Sequence, residues 1–169
     1  MRTSANKLAF MSILAAIALI VFIIEAQIPL PIPIPGTKLG LANTVTLFAL
    51  FFGKKKPPFL TAADAFLILV CRILLGAAFT GRGIAFLYSL SGGFLGFAAQ
   101  VMIKRILSDK QVWVCGAAGG MFHNIGQILA AMLITGTPLV AAYLPVLIVI
   151  GIVTGVLTGL VAQLALARI

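Results

Sequence analysis

Long apolar stretches, separated by short gaps that hold nearly all of the charge, fill this chain from end to end. About 20 apolar residues suffice for a helix to cross the hydrocarbon core of a bilayer. A soluble fold could not hide so much apolar surface: 62% of the 169 residues are hydrophobic and only 9% are charged, against roughly 25% charged in ordinary domains. The pattern predicts an all-α integral membrane protein, a single transmembrane domain over 1–169. Its six spans fall at about 8–27, 39–53, 59–78, 84–103, 112–135 and 140–166. The second is short for a crossing. It either starts inside the bilayer after a partly re-entrant loop or thins the membrane locally. The first follows Arg2 and Lys7 as a signal peptide would, but it is too long for an h-region, and Ile24-Glu25-Ala26 lacks a small-x-small cleavage pattern.

The formal net charge of +9 raises the question of nucleic acid, and the placement of the charges argues against it. Arg2, Lys7, Lys54, Lys55, Lys56, Lys104, Arg105, Lys110 and Arg168 fall in alternate gaps, on one side of the predicted bundle. The other side receives only Lys38 and Arg82, and Arg72 lies inside a span. By the positive-inside rule both termini are expected in the cytoplasm and the chain in the plasma membrane.

Glycines mark the expected helix contacts. Gly92/Gly96, Gly116/Gly120 and Gly151/Gly155/Gly159 recur at intervals of four on the fourth, fifth and sixth spans. Such grooves let backbones approach closely, within the chain or against a second copy or partner. Between the first two spans, Pro29, Pro31, Pro33 and Pro35 alternate with Leu30, Ile32 and Ile34. That strap cannot be helical, and it is either a stiff connector or a lid over an outward-facing pocket.

Polar side chains at membrane depth are costly, and they usually face a cavity or one another. Expected topology gathers Glu25, Lys38, Asn43, Arg72, Tyr88, His123, Asn124 and Gln127 in the outer half, as an outward-facing polar pocket. His123 and Gln127 are four apart and share a helix face with Asn124. Lys38, Asn43, Arg72, Tyr88, His123, Asn124 and Gln127 are therefore the candidate ligand-binding residues. The alternatives are an interhelical hydrogen bond for His123 and Asn124, and an ion pair with Glu25 for Arg72. The basic excess of this region points to a small anionic or phosphorylated ligand entering from outside.

Catalytic and metal-binding patterns are missing from the sequence. The only acidic residues are Glu25, Asp64 and Asp109, far apart in sequence, which leaves paired-carboxylate or Mg²⁺-diphosphate chemistry without ligands. There is no phosphate loop, no nucleophile elbow and no Cys/His metal spacing, and Cys71 and Cys115 sit inside apolar runs as packing residues. No metal and no cofactor is expected, and no enzymatic activity of the chain by itself.

Two stretches carry a family resemblance: Pro35-Gly36-Thr37-Lys38-Leu39-Gly40-Leu41-Ala42-Asn43, and Gly119-Gly120-Met121-Phe122-His123-Asn124-Ile125-Gly126-Gln127. They resemble the bacterial membrane proteins called heptaprenyl diphosphate synthase component I, or Gx transporter family proteins. That family is similar to the S components of energy-coupling factor (ECF) transporters, six-helix vitamin-capture proteins. The resemblance implies a ligand held by the first outer loop and the fourth to sixth spans, with a coupling subunit and two ATPases as partners. It also implies partner binding through small residues on the first span, here Ala5/Ala9 or Ser12/Ala16. The alternative it implies is a non-catalytic accessory subunit beside a soluble prenyl diphosphate synthase in isoprenoid or quinone synthesis, because the aspartate-rich motifs of such a synthase are absent.

Overall fold

The computed structural model describes residues 2–28, 40–52, 60–81, 83–108 and 110–169. The proline strap, Lys38, Lys54–Lys56, Arg82 and Asp109 lie outside the described residues. Among the described residues are six α-helices: α1 Arg2–Glu25, α2 Asn43–Phe52, α3 Ala62–Thr80, α4 Gly83–Lys104, α5 Val112–Thr135 and α6 Leu144–Ala167, with a 3₁₀ turn at Pro138–Tyr143 before α6. Five of them are long and apolar enough to cross a membrane, and α2 is not. The fold class expected from the sequence is therefore observed, with the helix of the second span starting at Asn43 instead of near residue 39 and described for ten residues.

The reason for that later start is local. Gly40 adopts φ +73°, the left-handed region that interrupts a helix, and the Asn43 amide donates back to the Gly40 carbonyl in a turn. The Gly40 amide donates to Glu25 Oε1 at 2.6 Å, tying this turn to the end of α1. Ten residues rise about 15 Å, half the hydrocarbon thickness. Lys104 donates to the Leu50 carbonyl and lies 5.3 Å from the Phe51 ring centroid, which fixes the other end of α2 beside the end of α4. Asn43 consequently begins α2 near mid-depth of the bundle.

One end of the bundle, the Lys104 end, collects the start of α1, the ends of α2, α4 and α6, and the starts of α3 and α5. Lys7 and Asp64 pair there at 2.6 Å, joining α1 to α3. Asp64 also closes the capping box of α3, accepting from the Thr61 amide at 2.6 Å while its own amide donates to Thr61 Oγ1 at 3.2 Å. At the far end α3 and α5 stop at Gly81 and Gly136, both left-handed, whose amides donate to the Ala77 and Met132 carbonyls. Among the described residues, every basic residue except Arg72 is placed at the Lys104 end; Lys38 and Arg82, which the sequence assigned to the other side, lie outside the described residues.

Packing follows the glycines. A Cβ at Gly116 would strike the Gly155 carbonyl and one at Gly120 the Gly151 carbonyl, so α5 and α6 meet backbone to backbone. The α4–α5 seam is nearly as close: a Cβ at Gly96 would lie 2.7 Å from the Gly119 carbonyl oxygen, and one at Gly126 2.6 Å from that of Ser91. These grooves are filled from within the chain. On the other side α1 packs on α3 and α2, α3 meets α4, and α2 meets α6, so the helices close into a ring. Two apolar clusters result. The larger, at the Lys104 end, is built around Leu47, Leu50 and Phe51 of α2 with Leu14, Ile68, Val112, Cys115 and Ala162. A smaller one at the far end joins Tyr88 to Ala130, Ala131 and Val140.

Candidate functional site

Between those clusters the bundle buries a layer of polar side chains: Thr46, Arg72, Gln100, His123, Asn124, Gln127 and Thr158. Each is carried to the axis by the helix contacts just described. α3 places Arg72 two turns beyond Asp64. Its Nη2 donates to Asn43 Oδ1 at 3.3 Å, and its guanidinium lies 5.9 Å from the Phe22 ring centroid. The Arg72–Glu25 ion pair that was the alternative reading for this residue does not form within 4.0 Å, the limit for a salt bridge; Glu25 turns to the Gly40 amide instead. The turn before α2 thus stands between the two charges, touching Glu25 through Gly40 and Arg72 through Asn43.

Asn124 donates from Nδ2 to the Leu147 carbonyl of α6 at 2.6 Å, the interhelical hydrogen bond that was the alternative reading for this residue. Gln127 is buried beside Gly92, where a Cβ would come within 2.9 Å of its Cγ. Neither polar atom of its amide finds a hydrogen-bond partner among the described residues, and the same holds for Thr46 Oγ1 and Arg72 Nε. Buried polar atoms in native proteins rarely go without a partner.

Two small cavities run through this layer. One, towards α3 and α4, is lined by Asn43, Thr46, Leu69, Gly93, Gly96, Phe97, Gln100, Gly119 and His123. The other, towards α6, is lined by Gly40, Asn43, Gln100, Gly116, Gly120, His123, Asn124, Thr154, Gly155 and Thr158. Each measures about 10 Å³, close to the least volume that admits one water. Asn43, Gln100 and His123 form the wall they share.

The structure thus brings together Asn43, Arg72, His123 and Asn124 from the predicted set, with Gln127 one turn further along α5. Tyr88 is elsewhere, in the apolar cluster of the far end, and Lys38 lies outside the described residues. The layer sits at mid-depth, and its cavities extend towards the Lys104 end rather than opening at the far end. Sequence reasoning missed Thr46, Gln100, Thr154 and Thr158. The signal for Gln100 was present, since it continues the Gly92/Gly96 face by another four residues. Gly119 makes its seat, because a Cβ there would strike the Gln100 amide.

On α1, Ala5, Ala9, Ser12 and Ala16 are all exposed, and the Ser12 hydroxyl donates to its own helix at Leu8. Among the described residues no three His, Cys, Asp or Glu side chains come together as a metal site would require.

No curated protein and no solved structure matches the chain. The sequence model of heptaprenyl diphosphate synthase component I matches residues 14–165, nearly the whole chain. The protein belongs to the heptaprenyl diphosphate synthase component I family.

Proposed function

We propose that this protein is a membrane-embedded capture subunit of the ECF S-component type, which binds a small anionic ligand from outside and hands it inward with an ATP-driven partner complex. The observation that carries the proposal is Arg72. This guanidinium is 4% exposed, holds five N–H donors, and has one hydrogen bond, to a neutral amide, among the described residues. A buried cation with so few partners is costly to keep, and an anion supplied by a ligand would complete its hydrogen bonds and neutralise it. Asn43, which bonds it, and His123 line the two cavities, and Lys38, two residues before Gly40 in the sequence, would add a second positive charge for the ligand.

Each of the two cavities has room for about one water, so a larger ligand requires the helices around them to part. The chain itself supplies no ATP-binding loop, and the driving force would come from a coupling subunit with its ATPases. The exposed Ala5, Ala9, Ser12 and Ala16 face of α1 is where that subunit would dock. In this orientation both termini face the cytoplasm of a plasma membrane, with the basic Lys104 end inside.

The family's name favours a second reading, a non-catalytic membrane subunit that anchors a soluble prenyl diphosphate synthase. Gentle extraction and affinity purification from the native cell separates the two. Recovery with an ATPase-bearing complex supports capture; recovery with a prenyl diphosphate synthase and no ATPase supports the anchor.

A further inference from the structure

The polar layer divides chemically into two parts. At Arg72 it is cationic. Towards the Lys104 end, past Asn43, the two cavities are lined by Thr46, Gln100, Asn124, Thr154 and Thr158, with His123 on the wall they share and glycines supplying the rest except on the Leu69/Phe97 side. Lys104 is one turn from Gln100 on α4, but its ammonium points to the Leu50 carbonyl and the Phe51 ring, away from the cavities it does not line. No carboxylate, lysine or arginine lines either cavity, and His123 is the titratable side chain on their walls.

Two side chains here hold unused hydrogen-bonding capacity. Thr46, 2% exposed, has a hydroxyl with no partner among the described residues. Gln100, 5% exposed, makes no side-chain hydrogen bond among them, although Gly119 leaves a seat shaped to its amide. A carboxamide and a hydroxyl together offer donors and acceptors with no net charge. Their complement is a neutral group that both donates and accepts, such as an amide, a hydroxyl or water. The Asn43 side chain both lines this region and bonds the guanidinium, so a ligand bridging the two needs a spacer of a few carbons.

We propose that the Thr46–Gln100 cavities form a neutral subsite. It holds water in the ligand-free protein and, resting on the capture reading, the uncharged hydrogen-bonding end of a ligand whose anionic end meets Arg72. The subsite thereby selects against a ligand charged at both ends, because a second charge there would find no permanent counter-charge, only the neutral imidazole of His123, at a depth where desolvation is severe.

The ligand arm is tested by thermal unfolding of the purified protein in detergent with added butyrate, or with the half-amides and the dicarboxylates of four to six carbons. Half-amides are expected to raise the unfolding midpoint more than the matching dicarboxylates. The difference should vanish in Gln100→Leu while the butyrate shift stays. Dicarboxylates that stabilise as well as half-amides, or a half-amide preference that survives Gln100→Leu, overturn the proposal. If no compound shifts the wild type, the anion site at Arg72 fails rather than the neutral subsite, which then stands or falls on its water arm. In the ligand-free protein, Thr46→Val keeps the side-chain shape and removes only the hydroxyl. A hydrated subsite loses a water contact and the midpoint falls by roughly 2–4 °C; in a dry one an unsatisfied hydroxyl disappears and the midpoint rises, which overturns the proposal. Should the variant not fold, density for an ordered water beside Thr46 and Gln100 in a high-resolution structure decides the same question.

Discussion

Arg72 Nη2 donates to Asn43 Oδ1 at 3.3 Å, and through that single bond the middle of α3 holds the first residue of α2. The contact explains how a helix of ten residues can begin at mid-depth, where a frayed start would leave amides bare in hydrocarbon. Glu25 holds the same turn from the other side through the Gly40 amide.

Replacing Asn43 by leucine leaves the Arg72 guanidinium without that partner. The expected loss is about 1–3 kcal/mol, the desolvation cost of an orphaned polar group, read as earlier unfolding in mixed micelles. Adding Arg72→Met should recover most of the loss, since replacing both partners by apolar groups is close to neutral. A double variant no more stable than the single one would contradict this account of the bond.

The α5–α6 seam should tolerate no side chain. Gly120→Ala drives a methyl into the Gly151 carbonyl, and overpacking of this kind is expected to cost about 1–3 kcal/mol. Gly83→Ala, where nothing lies within 4 Å of the added carbon, should stay within about 0.5 kcal/mol of the wild type. Equal effects in the same unfolding assay would mean that the seam is looser than described.

Asn124 ties α5 to α6 through the Leu147 carbonyl at 2.6 Å. Hydrogen bonds between membrane helices average about 0.6 kcal/mol and reach about 1.7, so Asn124→Ala should fall in that range and leave the bundle folded. A loss of several kcal/mol would assign Asn124 a larger structural role than one bond provides.

Lys104 anchors the other end of α2. Lys104→Met removes its bond to the Leu50 carbonyl, and hydrogen exchange in the last turn of α2 is expected to speed up about tenfold, equivalent to about 1.4 kcal/mol of local stability. Amides in the middle of α5 should keep their protection. Uniform loss along both helices would show that Lys104 supports the whole bundle rather than this helix end.

Much of this architecture is legible in the sequence because the bilayer permits few solutions. Alternating basic gaps predicted the asymmetry between the two ends, and the glycine intervals identified the seams, since a contact face repeats along a helix whatever it touches. The short second span was readable from its length; that Gly40 turns the chain at mid-depth was not, because a left-handed glycine looks like any other in sequence. Burial of His123, Asn124 and Gln127 followed from polarity in an apolar run. Their depth and partners did not. Glu25 and Arg72 looked like a natural ion pair by charge, yet the turn before α2 intervenes and takes a bond from each. Tyr88 was drawn into the predicted set by its hydroxyl, whereas its ring packs with Ala130 and Ala131. Thr46 and Gln100 escaped notice because threonine and glutamine, lacking charge, barely interrupt an apolar stretch.

The account depends on the polar layer being a binding site for an anion rather than a device that only joins helices. Native mass spectrometry of gently extracted protein tests this most directly, comparing wild type with Arg72→Met/Asn43→Leu, a pair of changes expected to preserve the fold. The prediction is an anionic small molecule that leaves the wild-type protein on activation and is missing from the folded double variant. A wild-type mass equal to that of the bare chain, or the same adduct on both proteins, would contradict it.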